Sequence, residues 1–568
     1  MLDLQSVLSA AKTLGEKMKR TFFAFLLLAT FAFQSTAFAQ TAVKVTSAEK
    51  KIVEGVTAKQ LSDYLYFVAS DEMEGRDTPS RGLDTTAKFI GMNLSRWGFK
   101  PAGDNGTFYQ KIALKRDAVD PAATSVEIGG QKYSYGDDLV RVSGNMSGAM
   151  TAKIVYAGNG WMIKSKNLNP YEGIDVKGKI IAVFGEGPIG GRNLVPLPAG
   201  VTQADLTGTR GKDWADAVTY GRENGAAGVM VLASKFLASN WGMVAQMFGR
   251  SRMVVEKLAQ PQAGPQGGPV PTVFMASEKL SNAIFAGEAG NPLAGYTKSF
   301  ELTKDFKFSI GTKSETAWTQ NVVAVWEGSD PVLKNEMVAI GAHYDHVGIN
   351  PNAPGPDKIF NGADDDGSGT VAVLSIAEAL AKAPKRPKRS ILFVWHCGEE
   401  KGLWGSEYFN KFPTVDIKQV VAQLNIDMIG RSRKAGNTEP RDKDLTDENT
   451  IYVIGKDMMS STLGSVVDGS NKGYLNMNYD TRYDDPKDTN RFFFRSDHFN
   501  YAVNGIPVAF WFDGVHVDYH GAGDHADKID YPRMEKVTRT IMVTMLKLAD
   551  LKERPKVDKT LPPELTQR

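Results

Sequence analysis

The sequence predicts an α/β protein: a mixed, mostly parallel sheet sandwiched by helices, interrupted by a β-rich insert. Three observations carry that expectation. From about residue 320 to 553, continuous apolar runs alternate with amphipathic stretches, the pattern of strands covered on both faces. Between 145 and 300 the pattern changes to brief β-like runs broken by Gly and Pro. All seven histidines lie after residue 340, so the metal- and proton-handling side chains are concentrated outside the insert.

The chain has 568 residues, enough for about two to four domains. Hydrophobic residues make up 42% and charged residues 23%, an ordinary globular mix able to build a full core. A formal net charge of +2 gives no case for nucleic acid or an acidic partner.

At the N-terminus, Lys17-Met18-Lys19-Arg20 is basic and Thr21 to Phe33 is almost wholly apolar. Ala37-Phe38-Ala39 then places small residues where a signal peptidase reads, just before Gln40. This is the pattern of a secretory signal peptide over 18–39, with Met18 as a candidate start, and it predicts an exported, periplasmic or secreted protein. A membrane anchor needs about 20 apolar residues, which this run and every later one fall short of. The sole cysteine, Cys397, allows no internal disulfide and reads as a small core residue. No cysteine near the cleavage site offers a lipid anchor.

In chain order, residues 40–56 read as a short leader. Residues 57–100 read as two amphipathic helices. Thr57 can cap the first, with Leu61, Leu65 and Val68 on one face, and Asp84 or Thr85 can open the second. The charged loop between them, Asp71 to Ser80, is expected to be a surface turn. In the insert, strands are expected at 152–157 and 179–184, and a helix at 213–224 leads into another strand at 228–232. Residues 258–271 form a low-complexity Pro/Gly/Gln loop. Beyond residue 320, strands are expected at 337–342, 391–397, 420–426, 451–454 and 507–512, and helices at 369–383, 403–411 and 534–552. The basic stretch 385–389 is expected to be a solvated connector.

The chemistry sits at the strand ends, where open α/β sheets bind ligands. The run 337–342 leads into His343-Tyr344-Asp345-His346, and on an extended chain His343 and Asp345 share a face. A histidine ligand usually passes its other ring N–H to an acceptor, and Asp345 is placed to be one. Asp364, Asp365 and Asp366 precede a helix; one or two could be caps, while three together suggest a cation. Glu399 and Glu400 follow the strand at 391–397 between Gly398 and Gly402, either as a solvated acidic loop or as a turn that aims both carboxylates at one site. Asp427 ends the strand at 420–426, and Asp518-Tyr519-His520 with Asp524 follows the last strand. His, Asp, Glu, Asp and His in that order are the inventory of a two-metal site of N and O ligands. Zinc is the expected metal, with cobalt or manganese as substitutes.

The motifs HYDH, GADDDGSG, EEKGLWGS, NIDMIG and YHGAGD, in this order, closely resemble the di-zinc metallopeptidase family. That family includes bacterial secreted aminopeptidases, aminopeptidase Y and the glutamate carboxypeptidase II branch. The resemblance spans 57–140 and 305–553, which it marks as a discontinuous zinc peptidase domain of the zinc aminopeptidase/phosphorylase-like fold. The segments Tyr171 to Ile181 and Gly221 to Val229 resemble the protease-associated domain, placing that insert at 145–300 with a role in access or substrate selection. Carried over residue by residue, the resemblance implies two Zn2+ ions: His343 on one, His520 on the other, Asp365 bridging, and Glu400 and Asp427 each completing one. It implies Glu399 as general base and Asp345 as the group that orients His343. Ser496-Asp497-His498 is implied in pocket architecture, and His346, His396, His516 and His525 receive no role.

The function so implied is a secreted zinc exopeptidase, an aminopeptidase removing N-terminal residues from peptide substrates. The alternative is a carboxypeptidase or dipeptidase that reads a substrate carboxylate with Arg431, Arg433, Arg491 or Arg495. Two more distant alternatives are a single-zinc glutaminyl cyclase-like transferase, against which His343 with Asp345 argues, and a non-enzymatic binding protein, against which the full ligand set argues.

Overall fold

In this computed structural model the described residues are 43–144, 146–187, 194–249, 253–259 and 270–566. The expected signal peptide and most of the 258–271 loop lie outside them. The chain divides into two compact units, one formed by residues up to Lys111 together with Gln320–Arg568, the other by Ile112–Thr319. This second unit is wider than the 145–300 range expected for the insert. The widening has a pairing cause: Ser125–Ile128 is antiparallel to Phe300–Ile310, and Leu139–Ser143 is antiparallel to Thr272–Ala276.

At the centre of the first unit four strands run parallel, in the order Ser390–His396, Met337–His343, Val420–Ile426, Val508–Phe512. Antiparallel strands flank them, Thr312–Trp326 on one side and Thr450–Ile454 on the other, so the sheet is mixed. Every residue of the four central strands is buried, which is why they read as unbroken apolar runs. His343 and His396 are register partners, so the C-terminal ends of their strands open at one edge of the sheet. Helices Gly369–Ala381, Trp404–Lys411 and Tyr531–Asp550 lie close to the expected ranges. The last begins three residues earlier than expected because Asp530 caps it, with Pro532 in its first turn.

Three local expectations change. The second N-terminal helix is Arg81–Arg96, opened by Ser80, whose Oγ accepts the Leu83 N–H at 3.1 Å. The 71–80 loop is not a plain surface turn: Met73, Gly75, Arg76 and Thr78 are buried. Arg76, with no exposed surface, donates to the carbonyls of Tyr344 at 3.0 Å, Val68 at 2.8 Å, Asn361 at 2.6 Å and Gly362 at 2.7 Å. A buried guanidinium needs such partners. Arg389, at the end of the expected solvated connector, is also buried, and its Nε donates to Glu336 at 2.7 Å.

The second unit is built on its own sheet, with Gly148–Tyr156, Ile180–Val183, Gly228–Val231 and Thr272–Ala276 parallel at its centre. Helix Ala217–Glu223, capped by Asp216, leads into the third of these, and Ser277 caps the helix Glu278–Phe285 that follows the fourth. Among the described residues no helix is long and apolar enough to cross a membrane.

Candidate metal centre

His343 is the last residue of its strand. Its Nδ1 donates to the carbonyl of Asp345 at 3.1 Å, which leaves the Nε2 lone pair for the site. Asp345 is thus where the spacing placed it, but the ring N–H goes to its main chain, and the carboxylate Oδ1 stands 3.7 Å from Nδ1. That Oδ1 instead accepts the backbone N–H of Glu399 at 3.1 Å. His343 Nε2 faces Asp365 Oδ1 at 3.4 Å, Asp427 Oδ2 at 3.5 Å and Glu399 Oε2 at 4.0 Å.

Asp365 turns its other oxygen to a second set. Oδ2 lies 3.1 Å from His520 Nε2 and 3.6 Å from His346 Nδ1. Glu400 faces the same two rings, Oε2 at 3.0 Å from His520 Nε2 and Oε1 at 3.0 Å from His346 Nδ1. The structure thus brings together His343, Asp345, Asp365, Glu399, Glu400, Asp427 and His520, and adds His346, for which the sequence suggested no role.

The glutamate pair reaches one site because the backbone reverses after the strand. Gly398 and Gly402 both have positive φ, and the N–H groups of Gly402 and Leu403 return to the Glu399 carbonyl at 2.8 and 2.9 Å. Thr78, from the buried N-terminal loop, holds this turn by accepting the Gly398 N–H at 3.1 Å. The flanking aspartates fasten the loops. Asp364 Oδ1 accepts from Gly430 N at 2.7 Å, and Asp366 Oδ1 accepts from Met428 N at 3.1 Å and Gly369 N at 2.8 Å. Asp524 Oδ2 accepts the N–H groups of Asp364 and Asp365 at 3.0 and 3.1 Å.

The electrostatics are those of a buried anionic cluster. Burial pushes Glu399 well above the ordinary carboxylate range. Burial also acts on Asp365, but His343 and His520 overcome it and hold this carboxyl well below that range. Against burial, Asp365 and Glu400 raise the His520 imidazole to about 10. The residues fit a metal. His343, Asp365 and Asp427 form one group able to hold an ion, and His346, Asp365 and Glu400 another. Asp365 Oδ2, Glu400 Oε1 and both His346 ring nitrogens are buried without a hydrogen bond. Ligands about 2.0–2.1 Å from a tetrahedral ion stand about 3.3 Å from one another, close to the separations found. All the donors are N and O atoms, as first-row divalent ions accept.

Beside the His343 group is a cleft lined by Met428, Phe492, Phe510, Phe512, Val515 and Tyr519, with Arg495 at its side. His498 stacks on Phe510 at 4.5 Å between ring centroids, and Ser496 Oγ accepts from Asn425 Nδ2 at 2.8 Å, so the Ser496–His498 segment supports this cleft. Arg431 is committed to Asp518 at 2.9 Å, Arg433 donates to the Lys443 carbonyl at 2.9 Å, and the Arg491 guanidinium lies 4.3 Å from the Phe494 ring centroid. Of the four arginines considered from the sequence, Arg495 is the one that lines the cleft.

Fold and site together define an α/β protein with a buried histidine–carboxylate centre at the ends of its parallel strands. Residues 321–545 match the profile of peptidase family M28. "Leupeptin-inactivating enzyme 1" of Streptomyces exfoliatus is 28% identical over 286 residues, covering 48% of this chain and 56% of that protein. A "Probable leucine aminopeptidase" of Arthroderma benhamiae is 28% identical over 229 residues, covering 39% of this chain and 56% of that protein. The chain thus spans about half the length of the curated relatives it matches. Among solved structures, the aminopeptidase from Aneurinibacillus sp. strain AM-1 aligns over 91% of this chain and 98% of its own, at 17% identity and a TM-score of 0.46.

Proposed function

We propose that this protein is an exported zinc-dependent exopeptidase, acting as an aminopeptidase on peptides, with two Zn2+ ions held around Asp365. One observation carries the proposal: the two oxygens of Asp365 face two separate imidazole sets, His343 on one side and His520 with His346 on the other. In this assignment His343, Asp365 and Asp427 hold one ion, and Asp365, Glu400 and His520 hold the other. Bound zinc supplies polarisation of the scissile carbonyl and a water acidic enough to ionise near neutral pH.

The chain's own residues do the rest. Glu399 takes the proton of the attacking water and delivers it to the leaving amine. Its raised proton affinity suits a group that must hold a proton between those steps. Asp345, through the Glu399 main chain and the His343 ring, positions both. The aromatic cleft accepts an apolar side chain beside the scissile bond. The insert is proposed as a protease-associated-type domain that governs access or substrate selection.

Arg495 favours a second reading. A guanidinium in the same cleft as Glu399 suits recognition of a substrate carboxylate, as a carboxypeptidase or dipeptidase needs. Assaying free aminoacyl anilides against N-blocked peptides, each with and without chelator, separates the two. Chelator-sensitive cleavage of the free anilides is expected. Cleavage of only the blocked peptides overturns the aminopeptidase assignment in favour of the second reading.

A further inference from the structure

The geometry points to His346 as an additional ligand of the metal shared by Asp365, Glu400 and His520, which makes that position a closed site and leaves the His343 position the open one. The inference rests on the two-metal reading above and goes one residue beyond it.

His346 has no exposed surface, and neither of its ring nitrogens makes a hydrogen bond. A buried imidazole normally finds partners for its polar atoms, so both nitrogens call for an explanation. Nδ1 approaches Glu400 Oε1 to 3.0 Å and Asp365 Oδ2 to 3.6 Å, yet neither oxygen is hydrogen-bonded. Close approach of a ring nitrogen to two carboxylate oxygens without hydrogen-bond alignment is what ligands converging on a common cation show. His520 approaches the same two carboxylates from the other side, and the two rings stand 5.6 Å apart at 75°.

The backbone is built to keep the ring there. The His346 N–H donates to the Arg76 carbonyl at 3.2 Å, and Arg76 itself donates to the Tyr344 and Gly362 carbonyls on either side. Gly362, at φ +58°, leaves the room the ring occupies: a Cβ there would come within 2.4 Å of His346 Cγ. Three segments distant in sequence thus converge to fix one imidazole.

With His346 the second position has two imidazoles and two carboxylates, the four donors of a closed tetrahedral site. The first has His343, Asp365 and Asp427, three donors with a place left for water or substrate. The closed site should hold its ion more tightly, and the open one should exchange first.

Chelator competition on the full-length protein, followed by metal content per chain, tests this. Wild type is expected to release its two zinc ions in two separated steps. His346→Gln and His346→Ala are expected to lose the tighter step, weakening it at least about tenfold, while the weaker step stays. Unchanged two-step release in a folded His346→Gln variant overturns the inference. A zinc-edge anomalous structure of the wild type needs no variant to fold. Nδ1 of His346 is expected about 2.0–2.1 Å from the zinc on Glu400. Zinc bound by Asp365, Glu400 and His520 with His346 outside bonding distance overturns this inference alone. No zinc at Asp365 overturns the two-metal reading and this inference with it.

Discussion

Two sheets in this chain share a central plan and differ in chemical content. Each has four parallel strands flanked by antiparallel ones. In the first unit the ends of three parallel strands deliver His343, the Glu399–Glu400 pair and Asp427. In the insert the four parallel strands are followed by Ala157, Phe184, Leu232 and Ser277, and no histidine occurs anywhere in the unit. A parallel sheet offers one edge where loops gather; which residues stand there decides whether the edge can do metal chemistry.

The strongest way to break that contrast is Glu399→Gln. Turnover of a peptide substrate is expected to fall about 10²–10⁴-fold with metal content unchanged, because the amide keeps the shape but accepts no proton. Wild-type-like hydrolysis by this variant would remove the chemical distinction between the two strand edges.

Arg76→Met probes what holds the first edge together. It leaves the carbonyls of Tyr344, Val68, Asn361 and Gly362 buried without their donor. At about 1–3 kcal/mol for a buried group left unsatisfied, a loss of at least about 3 kcal/mol is expected in denaturant unfolding. A loss below about 1 kcal/mol would mean that water or a local shift replaces the guanidinium.

The pH dependence of the metal-free protein sharpens the contrast further. Against burial, Asp365 and Glu400 raise His520 to about 10, and burial raises Asp497 to about 7. Both folded values lie above the unfolded ones, so the folded state binds more protons and stability falls as pH rises, through Asp497 up to about 7 and through His520 from about 6.5 to about 10. Metal binding has the opposite slope, since ligands must shed protons to coordinate. Thermal unfolding with and without zinc across this range checks both signs. A metal-free protein that gains stability with pH would contradict the electrostatics of the first unit.

The smallest expected effect lies in the insert. Ser277→Ala removes an N-cap that accepts the Leu280 N–H at 3.2 Å and is expected to cost about 1 kcal/mol. Metal content should be untouched; a change would tie the insert to the centre.

Much of the first unit was legible because its signals are local. The strands at 337, 391, 420 and 508 are buried on both faces, so their apolar runs are unbroken, and the residues that end them stand out. The 71–80 loop was misleading because its charge suggests solvent. Its Arg76 is buried, satisfied by carbonyls that no local pattern announces. Asp345 was placed at the right point, but the choice between its carbonyl and its carboxylate as the His343 partner depends on how the chain turns after the strand.

By itself, then, the sequence determined which residues stand at the strand ends and that nitrogen and oxygen donors dominate there. Those follow from burial and from chain order. The resemblance implied that His343 and His520 divide about Asp365; only the tertiary structure decided that Asp427 stands with His343, that Glu400 stands with His520, and that His346 joins the second set. Asp365 turns one oxygen to His343 and the other to His520 and His346, and Asp364 and Asp366 turn away to hold the loop beside Asp427. Such directions depend on strand register and on loop torsions that bring remote segments together. A donor's partner in space is therefore not written in its neighbours along the chain.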